Sequence, residues 1–218
     1  MTRDVFHEKL KQLFLRLLKM GTLVEETIQQ SVNALASLDI DLAQKIIAND
    51  DNIDNLETQL EQECLTLLAT QQPLAKDLRL IGATLKVITD LERIADHAVD
   101  ISRVTINLKG QKLVKPLIDI PRMAGMAIEM LHDSLTALIE EDVDLAKKIG
   151  KKDDFIDDLN KQIFRELLLL MMSNPTIIEQ ATQLQLVSLY LERIGDHATN
   201  IAEWVYYIST GEKPPSKW

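Results

Sequence analysis

Proline, glycine and aromatic residues are scarce in this sequence: its 218 residues include 6 Pro and 7 Gly, and only 4% of them are aromatic. Glycine and proline supply the special backbone conformations of tight turns, so their scarcity predicts few turns and a few long elements. The commonest residues include Leu, Ala, Lys, Glu and Gln, which favour the α-helix. The composition therefore predicts an all-α protein.

Cysteine and long apolar runs are also nearly absent. Cys64 is the single cysteine, which excludes an internal disulfide framework and fits a reducing compartment. The most apolar run, residues 167–172, is far shorter than the roughly 20 residues that a membrane-spanning helix needs. The opening residues are too charged for a secretory signal peptide. We therefore expect a cytoplasmic protein that does not insert into a membrane.

Positive charge is in the minority, with 24 Lys and Arg against 34 Asp and Glu and a formal net charge of −10. An acidic surface repels phosphate backbones, and the sequence has no basic stripe with interleaved aromatic residues, which argues against nucleic acid as a partner. A glycine-rich phosphate loop, a Gly-x-Ser-x-Gly elbow and a Cys/His nucleophile pair are missing too. The sequence therefore indicates no catalytic centre.

An internal duplication organises the chain. Residues 41–46 read Asp-Leu-Ala-Gln-Lys-Ile and match a block 103 positions later, whereas residues 91–98, Leu-Glu-Arg-Ile-Ala-Asp-His-Ala, match a block 100 positions later. The difference indicates that the second copy lost three residues between the two blocks. We therefore expect two domains, repeat one (residues 1–110) and repeat two (residues 111–218).

Apolar residues recur at i, i+3, i+4 and i+7 within each repeat, which is typical of amphipathic helices. Asp39 and Asp142 stand where a helix could begin after a short turn. Short connections make neighbouring helices antiparallel, so the expected fold is two tandem three-helix bundles related by a pseudo-twofold duplication. The six long helices are predicted at residues 4–37, 39–71, 74–109, 113–140, 142–173 and 176–210.

Each repeat carries a Glu-x-x-x-Asp pair near its end. In repeat one, Glu92 and Asp96 are four residues apart and therefore lie on one helix face. Leu91, Ile94 and Ala98 mark the buried side of this helix, which places both acids at the edge of the buried arc, facing outward. Like charges at this spacing repel, so we expect a group that neutralises them.

A second acidic pair precedes the first in each repeat. Counted from the turn between the second and third helices, Asp54 and Glu92 lie at almost the same distance, and so do Asp50 and Asp96. Equal distance from the turn of an antiparallel pair means equal height, and the same count holds in repeat two. Four carboxylates per repeat are therefore predicted at one level. The eight candidate ligands are Asp50, Asp54, Glu92, Asp96, Asp153, Asp157, Glu192 and Asp196.

Two interpretations of these carboxylates stay open. Clustered oxygen donors without cysteine or paired histidine favour Mg²⁺, Mn²⁺ or iron over structural zinc, although zinc stays among the candidate metals. The simpler interpretation is a solvated acidic face with surface ion pairs, such as one between Arg93 and Asp96. His97 and His197 follow the acids directly but point about 100° away, which favours a supporting or ion-pairing role over direct ligation.

Two further motifs suggest other classes of protein. Glu129 and His132 have the Glu-x-x-His spacing of carboxylate-bridged di-iron bundles, but repeat one has Glu26 and Gln29 at the equivalent positions. His7 stands on a long predicted helix, like the phospho-accepting histidine of a kinase. A di-metal enzyme and a phosphotransfer module are therefore the alternatives to a binding protein.

The doubled motif at residues 90–98 and 191–198, together with residues 72–79, resembles the signature of the PhoU family of bacterial phosphate-signalling regulators. The resemblance extends over essentially the whole chain. It implies two three-helix bundles with metal ions, including multinuclear iron clusters, held at their surface by the repeated acidic motifs. Asp100 is matched by Asn200, so the two clusters need not hold the same number or kind of ion.

The resemblance also implies a role. PhoU proteins stand between the ATPase subunit of a phosphate ABC transporter and a sensor histidine kinase. They repress the phosphate-starvation response and restrain phosphate uptake when phosphate is plentiful. Members of the family are homodimeric adaptors rather than enzymes, so we expect the same of this chain.

Overall fold

The computed structural model describes residues 3–215, and within them the chain forms seven α-helices and one 3₁₀ turn, without a β-strand. This confirms the all-α prediction. The helices are α1 (Arg3–Ser37), α2 (Ile40–Ala48), α3 (Asp51–Gln71), α4 (Ala75–Asn107), α5 (Asp119–Glu140), α6 (Val143–Ser173) and α7 (Ile178–Thr210), with the 3₁₀ turn at Pro175–Ile177.

The prediction of one continuous second helix, residues 39–71, was wrong, because that segment is divided into α2 and α3. Asn49, with φ −93° and ψ −2°, shares its N–H between the carbonyls of Lys45 and Ile46, both at 3.1 Å. The backbone hydrogen bonding of the helix thus tightens at Asn49, and the helical conformation resumes at Asp50, which is again right-handed. The equivalent segment of repeat two, α6, is continuous.

The fourth predicted helix, residues 113–140, begins six residues later than expected, at Asp119. The buried side chain of Gln180 holds the preceding connection in a non-helical conformation. Its Oε1 accepts from the N–H of Val114 at 2.6 Å, and its Nε2 donates to Oε1 of Gln111 at 2.8 Å. These bonds replace the helical ladder that periodicity alone suggested.

Both predicted helix starts are confirmed. The carboxylate of Asp39 accepts from the N–H of Leu42 at 2.9 Å, and that of Asp142 accepts from Asp144 and Leu145 at 2.9 Å each. An acceptor at this position satisfies backbone donors that have no partner inside the helix. Equivalent caps therefore open α2 and α6 in the two repeats.

Four helices form the centre of the molecule: α1 packs on α4 and α5, and α7 packs on the same two. The α2–α3 pair covers α1 and α4, whereas α6 covers α5 and α7. One continuous apolar cluster runs through both repeats. At Gly21 the two repeats approach so closely that an added methyl group would overlap Cδ1 of Leu135. Each repeat thus supplies half of a shared core, and the division into two separate domains stays a prediction.

The α4 and α7 helices lie side by side and antiparallel. At one end Nη2 of Arg79 reaches the carbonyl of Ile208 at 3.5 Å, and at the other Asn107 donates to Gln183 at 3.4 Å. The α3–α4 turn and the α6–α7 turn therefore lie at opposite ends of the molecule. None of the helices within residues 3–215 has the length and apolar character that crossing a membrane requires.

Candidate metal centre

The first carboxylate cluster lies between α3 and α4. Asp50 is the N-cap residue of α3, yet its side chain makes no capping hydrogen bond. Burial raises its pKa, and the nearby charges of Asp54 and Asp96 raise it further. Burial, followed by the negative charge of Asp96, raises the pKa of Glu92 to about 7. The four acids thus lie close enough to repel one another, as counting from the turn predicted.

The second cluster repeats this arrangement between α6 and α7. Burial raises the pKa of Asp153 to about 7, with contributions from Asp196, Asp157 and Glu192 in that order. Burial and then Asp196 and Asp157 raise the pKa of Glu192, and burial and then Asp157 raise that of Asp196. All four predicted carboxylates of repeat two therefore influence one another.

A glycine brings α6 and α7 together at this level. A methyl group at Gly195 would lie 3.0 Å from Oδ1 of Asp153 and 3.2 Å from Cδ1 of Ile156, closer than side chains normally pack. Repeat one has Ala95 at the equivalent position. The missing Cβ lets Asp153 lie directly against the backbone of α7, which accounts for its burial.

The donor chemistry fits a cation. Oδ1 of Asp50 and Oδ1 of Asp153 are buried, and neither has a hydrogen-bond partner within the described part of the chain. A buried carboxylate oxygen is costly unless a donor or a positive charge compensates it. Hard and borderline cations take such oxygens. Among residues 3–215, however, the side chains do not converge into a ready group of three or more His, Cys, Asp or Glu ligands.

Surface cations neutralise the clusters only in part. Nη1 of Arg93 contacts Asp96 at 3.3 Å and its Nε lies 3.5 Å from Glu92, which confirms the predicted ion pair. Lys161 lies 3.9 Å from Asp157 in repeat two. Such exposed pairs contribute little, because solvent screens them. Arg103 also acts on Asp50 in repeat one, and Arg193 acts on Glu192 and Asp196 in repeat two. Two cations against four carboxylates still leave each cluster with excess negative charge.

Sequence reasoning missed Glu57. Burial raises its pKa, followed by the charges of Glu61 and Asp54, and Glu57 in turn raises the pKa of Glu92. It lies three residues after Asp54 on the same helix, and a search for i, i+3 as well as i, i+4 acids would have found it. Repeat two has Asn160 there, which accepts from Oγ of Ser188 at 2.8 Å. The first cluster therefore carries a fifth carboxylate.

The two histidines lie between the clusters, where α4 meets α7. Nδ1 of His197 lies 2.8 Å from Oδ1 of Asp90, an acid that belongs to the other repeat. His97 stacks on Tyr190, with ring centroids 5.7 Å apart, and lies 5.8 Å from the ring of His197. Burial and then His197 lower the pKa of His97. Asp100, four residues after Asp96 on α4, pairs with Arg103 at 2.6 Å.

The Glu-x-x-His motif does not form one site. Glu129 pairs with Lys152 at 2.7 Å, whereas Nδ1 of His132 lies 3.2 Å from Oε1 of Glu25 on α1. The two side chains thus bind different helices. His7 is an exposed residue near the start of α1.

Comparison with known proteins assigns the doubled helical unit to a family. The PhoU domain matches residues 17–105 and residues 120–205, one match in each repeat. The chain belongs to the PhoU family. A PhoU homologue of Clostridium acetobutylicum, named a phosphate-specific transport system accessory protein, is 41% identical over 214 residues, covering 98% of both chains.

Solved PhoU structures share the fold. The crystal structure of PhoU from Pseudomonas aeruginosa superposes with a TM-score of 0.90 at 36% identity, covering 95% of this chain and all of that one. PhoU from Streptococcus pneumoniae, described as a phosphate transport system regulatory protein, gives a TM-score of 0.88 at 31% identity, covering 96% and 99%. The PhoU relationship therefore holds for the whole chain, and the relatives' names describe accessory and regulatory proteins.

Proposed function

We propose that this chain is a metal-binding cytosolic adaptor that represses the phosphate-starvation response and restrains phosphate uptake. It would do so by linking the ATPase subunit of a phosphate ABC transporter to a sensor histidine kinase. Membership of the PhoU family supports an accessory role in phosphate transport. The observation that carries the metal part is the pair of carboxylate clusters whose buried oxygens lack a compensating donor.

In this proposal Asp50, Asp54, Glu92 and Asp96 hold cations in repeat one, and their equivalents do so in repeat two. The metal is iron, manganese, magnesium or zinc. A bound cation supplies positive charge that offsets the repulsion among the acids and ties α3 to α4. The chain's own contribution is to place the acids at one level and to bury one oxygen of Asp50.

The position of the clusters supports binding rather than catalysis. The acids lie at the half-exposed edge of adjacent helices, and not in an enclosed interior such as a di-iron enzyme uses. The di-metal alternative also needs Glu129 and His132 in one site, whereas they contact different helices. We further propose that the adaptor acts as a homodimer, as the family resemblance implies.

Metal analysis of purified protein tests the metal site. Wild type is compared with a variant in which Glu92, Asp96, Glu192 and Asp196 are changed to alanine, and with Asp144→Ala as a matched exposed acid outside the clusters. We expect bound metal in wild type and Asp144→Ala and little in the fourfold variant. Equal metal content in all three would refute the site, provided that circular dichroism shows equal helicity.

The adaptor role has a separate test. Purified chain is immobilised, and binding of the transporter ATPase subunit and of the kinase's cytoplasmic part is measured at high and low phosphate. We expect binding to both proteins, with a response to phosphate. Binding to neither would refute the adaptor role whatever the metal content.

A further inference from the structure

The α2 helix packs in an apolar cluster of its own, apart from the main core. This cluster joins two residues of α2 to one of α1 and one of α4, namely Ala34, Ala43, Ile46 and Val99. Because a helix of nine residues is only marginally stable in isolation, α2 depends on this small cluster and on its junction with α3. The equivalent segment of repeat two, residues 143–151, differs, since its buried residues belong to the main core.

Irregular hydrogen bonds hold the junction between α2 and α3. The N–H of Asn49 is shared between two carbonyls, and the N–H of Asp50 reaches the carbonyl of Ile47 at 3.4 Å. The N–H of Asn52 donates to the carbonyl of Asn49 at 3.1 Å, again a spacing of three residues. Such bonds have poorer geometry than the regular α-helical ones. In repeat two the helix continues through the equivalent residue, Lys152, without a break.

A small cavity of about 50 Å³ lies beside this junction, with Thr27 and Asn49 in its lining. Repeat two has Met130 and Lys152 at the equivalent positions. Nζ of Lys152 pairs with two carboxylates of α5, each at 2.7 Å. Repeat one thus has small side chains and an open space where repeat two has larger side chains and two ion pairs. Missing contacts of this kind lower local stability, so the junction of repeat one is the weaker of the two.

Asp50 connects this weak junction to the first carboxylate cluster. Its Oδ1 is buried without a hydrogen-bond partner among residues 3–215, and the nearby Asp54 and Asp96 carry the same charge. A buried carboxylate without a donor is unfavourable, so opening the junction has the advantage of letting water solvate it. A cation held by the cluster compensates the same oxygen and removes that advantage. Cation binding and closure of the junction are therefore linked.

We propose that α2 is a metal-controlled element, which opens from α1 and α4 far more often in the metal-free protein than when the first cluster holds a cation. The equivalent segment of repeat two, residues 143–151, stays closed in both forms. This inference rests on the proposed metal site. It deepens that proposal by giving cation binding a structural consequence in one repeat and not in the other.

Amide hydrogen exchange of the full-length chain, followed by mass spectrometry at one pH, tests the inference. Chelator-treated protein is compared with protein saturated with Mn²⁺. Without metal, we expect the amides of residues 40–48 to exchange at least about tenfold faster than those of residues 143–151. Mn²⁺ should slow exchange in residues 40–48 at least about fivefold, and in residues 143–151 less than about twofold.

Matched variants isolate the contribution of Asp50. Asp50→Asn removes the charge that favours opening, so residues 40–48 should exchange at least about threefold more slowly than in metal-free wild type, and Mn²⁺ should then change their exchange less than about twofold. Asp153→Asn, the same change in the second cluster, should leave the exchange of residues 40–48 and its response to Mn²⁺ within about twofold of wild type. Asn49→Lys introduces the residue of repeat two at the junction and should slow exchange there without removing a carboxylate.

The outcomes separate the inference from the metal site on which it rests. Calorimetric titration of wild type with Mn²⁺ accompanies the exchange measurement, and a lack of binding would refute the metal site and the coupling together. Binding without slower exchange in residues 40–48, or with equal slowing in these residues and in α3, would refute the coupling while the metal site stands. Equal exchange of residues 40–48 and 143–151 in the metal-free protein would overturn the separate opening of α2.

Discussion

Nδ1 of His197 lies 2.8 Å from Oδ1 of Asp90, and this contact joins the two repeats across the α4–α7 interface. Asn200 donates to the same oxygen at 3.4 Å. The pseudo-twofold equivalent is different, because Tyr190 replaces an acid and stacks on His97 with an interplanar angle of 19°. The interface is therefore symmetric in position but not in chemistry.

The Asp90–His197 contact is expected to stabilise the fold measurably, because both side chains are largely buried. Asp90→Asn and His197→Gln should each lower the free energy of unfolding by about 1–2 kcal/mol, with a coupling of about 1 kcal/mol in the double mutant. Urea unfolding measures all three values. Asp144→Asn, at a highly exposed carboxylate, is the control and should change stability by less than about 0.5 kcal/mol. Additive single effects would show that the two side chains do not interact.

The clusters should make the metal-free protein less stable as pH rises. Burial and neighbouring acids raise the pKa of Glu92 from 4.5 and that of Asp153 from 3.8, each to about 7. Between the unfolded and folded pKa values the folded state binds more protons, so stability falls as pH increases through that window. From about pH 5 to 8 we expect a loss on the order of 1–2 kcal/mol after solvent screening.

Chelator-treated protein unfolded by urea at several pH values provides the measurement. The double variant Glu92→Gln and Asp153→Asn should be more stable than wild type at pH 8 and nearly equal to it at pH 5. A wild-type profile that is flat, or that rises towards pH 8, would contradict the predicted crowding of the carboxylates.

Gly195 should respond to substitution differently from other helical glycines. Replacing glycine by alanine inside a helix usually stabilises by about 0.5–1 kcal/mol. Gly125→Ala should show this gain, since an added methyl group there meets no atom within 4 Å. Gly195→Ala must displace Asp153 or Ile156, so it should be at least about 1 kcal/mol less favourable than Gly125→Ala. Equal thermal unfolding midpoints for the two variants would argue against close α6–α7 packing.

The fifth carboxylate should distinguish the two clusters. Glu57→Gln should weaken binding of Mn²⁺ to repeat one, because it removes a negative charge beside Glu92. Asn160→Asp should strengthen binding to repeat two, because it adds a carboxylate at the equivalent position. Calorimetric titration of each variant in the metal-free form measures both changes. Shifts in the same direction would show that this position does not contribute to the clusters.

The fold could be predicted from the sequence wherever the helical periodicity and the internal repeat indicated the same element. The short connections predicted the antiparallel helices, the residues Asp39 and Asp142 predicted two helix starts, and counting from the turns predicted the shared level of the carboxylates. Counting from a turn works because helical rise per residue is constant. The division between α2 and α3 was not predictable in this way, because Asn49 tightens only one turn without a glycine or proline to mark it.

The closeness of the repeats could not be predicted from either repeat alone. The partner of His197 is Asp90, 107 residues earlier, and no local pattern joins them. The burial of Asp153 similarly depends on a missing methyl group on another helix, at Gly195. Such features follow from how surfaces fit together in three dimensions, which helical periodicity does not encode.

The α3–α4 and α6–α7 turns lie at opposite ends of the molecule, which gives the proposed adaptor two well-separated ends. The α4 helix has 33 residues, and at the usual rise it separates the two turns by about 50 Å. Met172, an exposed apolar residue in the last turn of α6, lies near one of these turns. A protein held there would leave the other end sterically free, so a single molecule could carry two large partners at the same time without their touching.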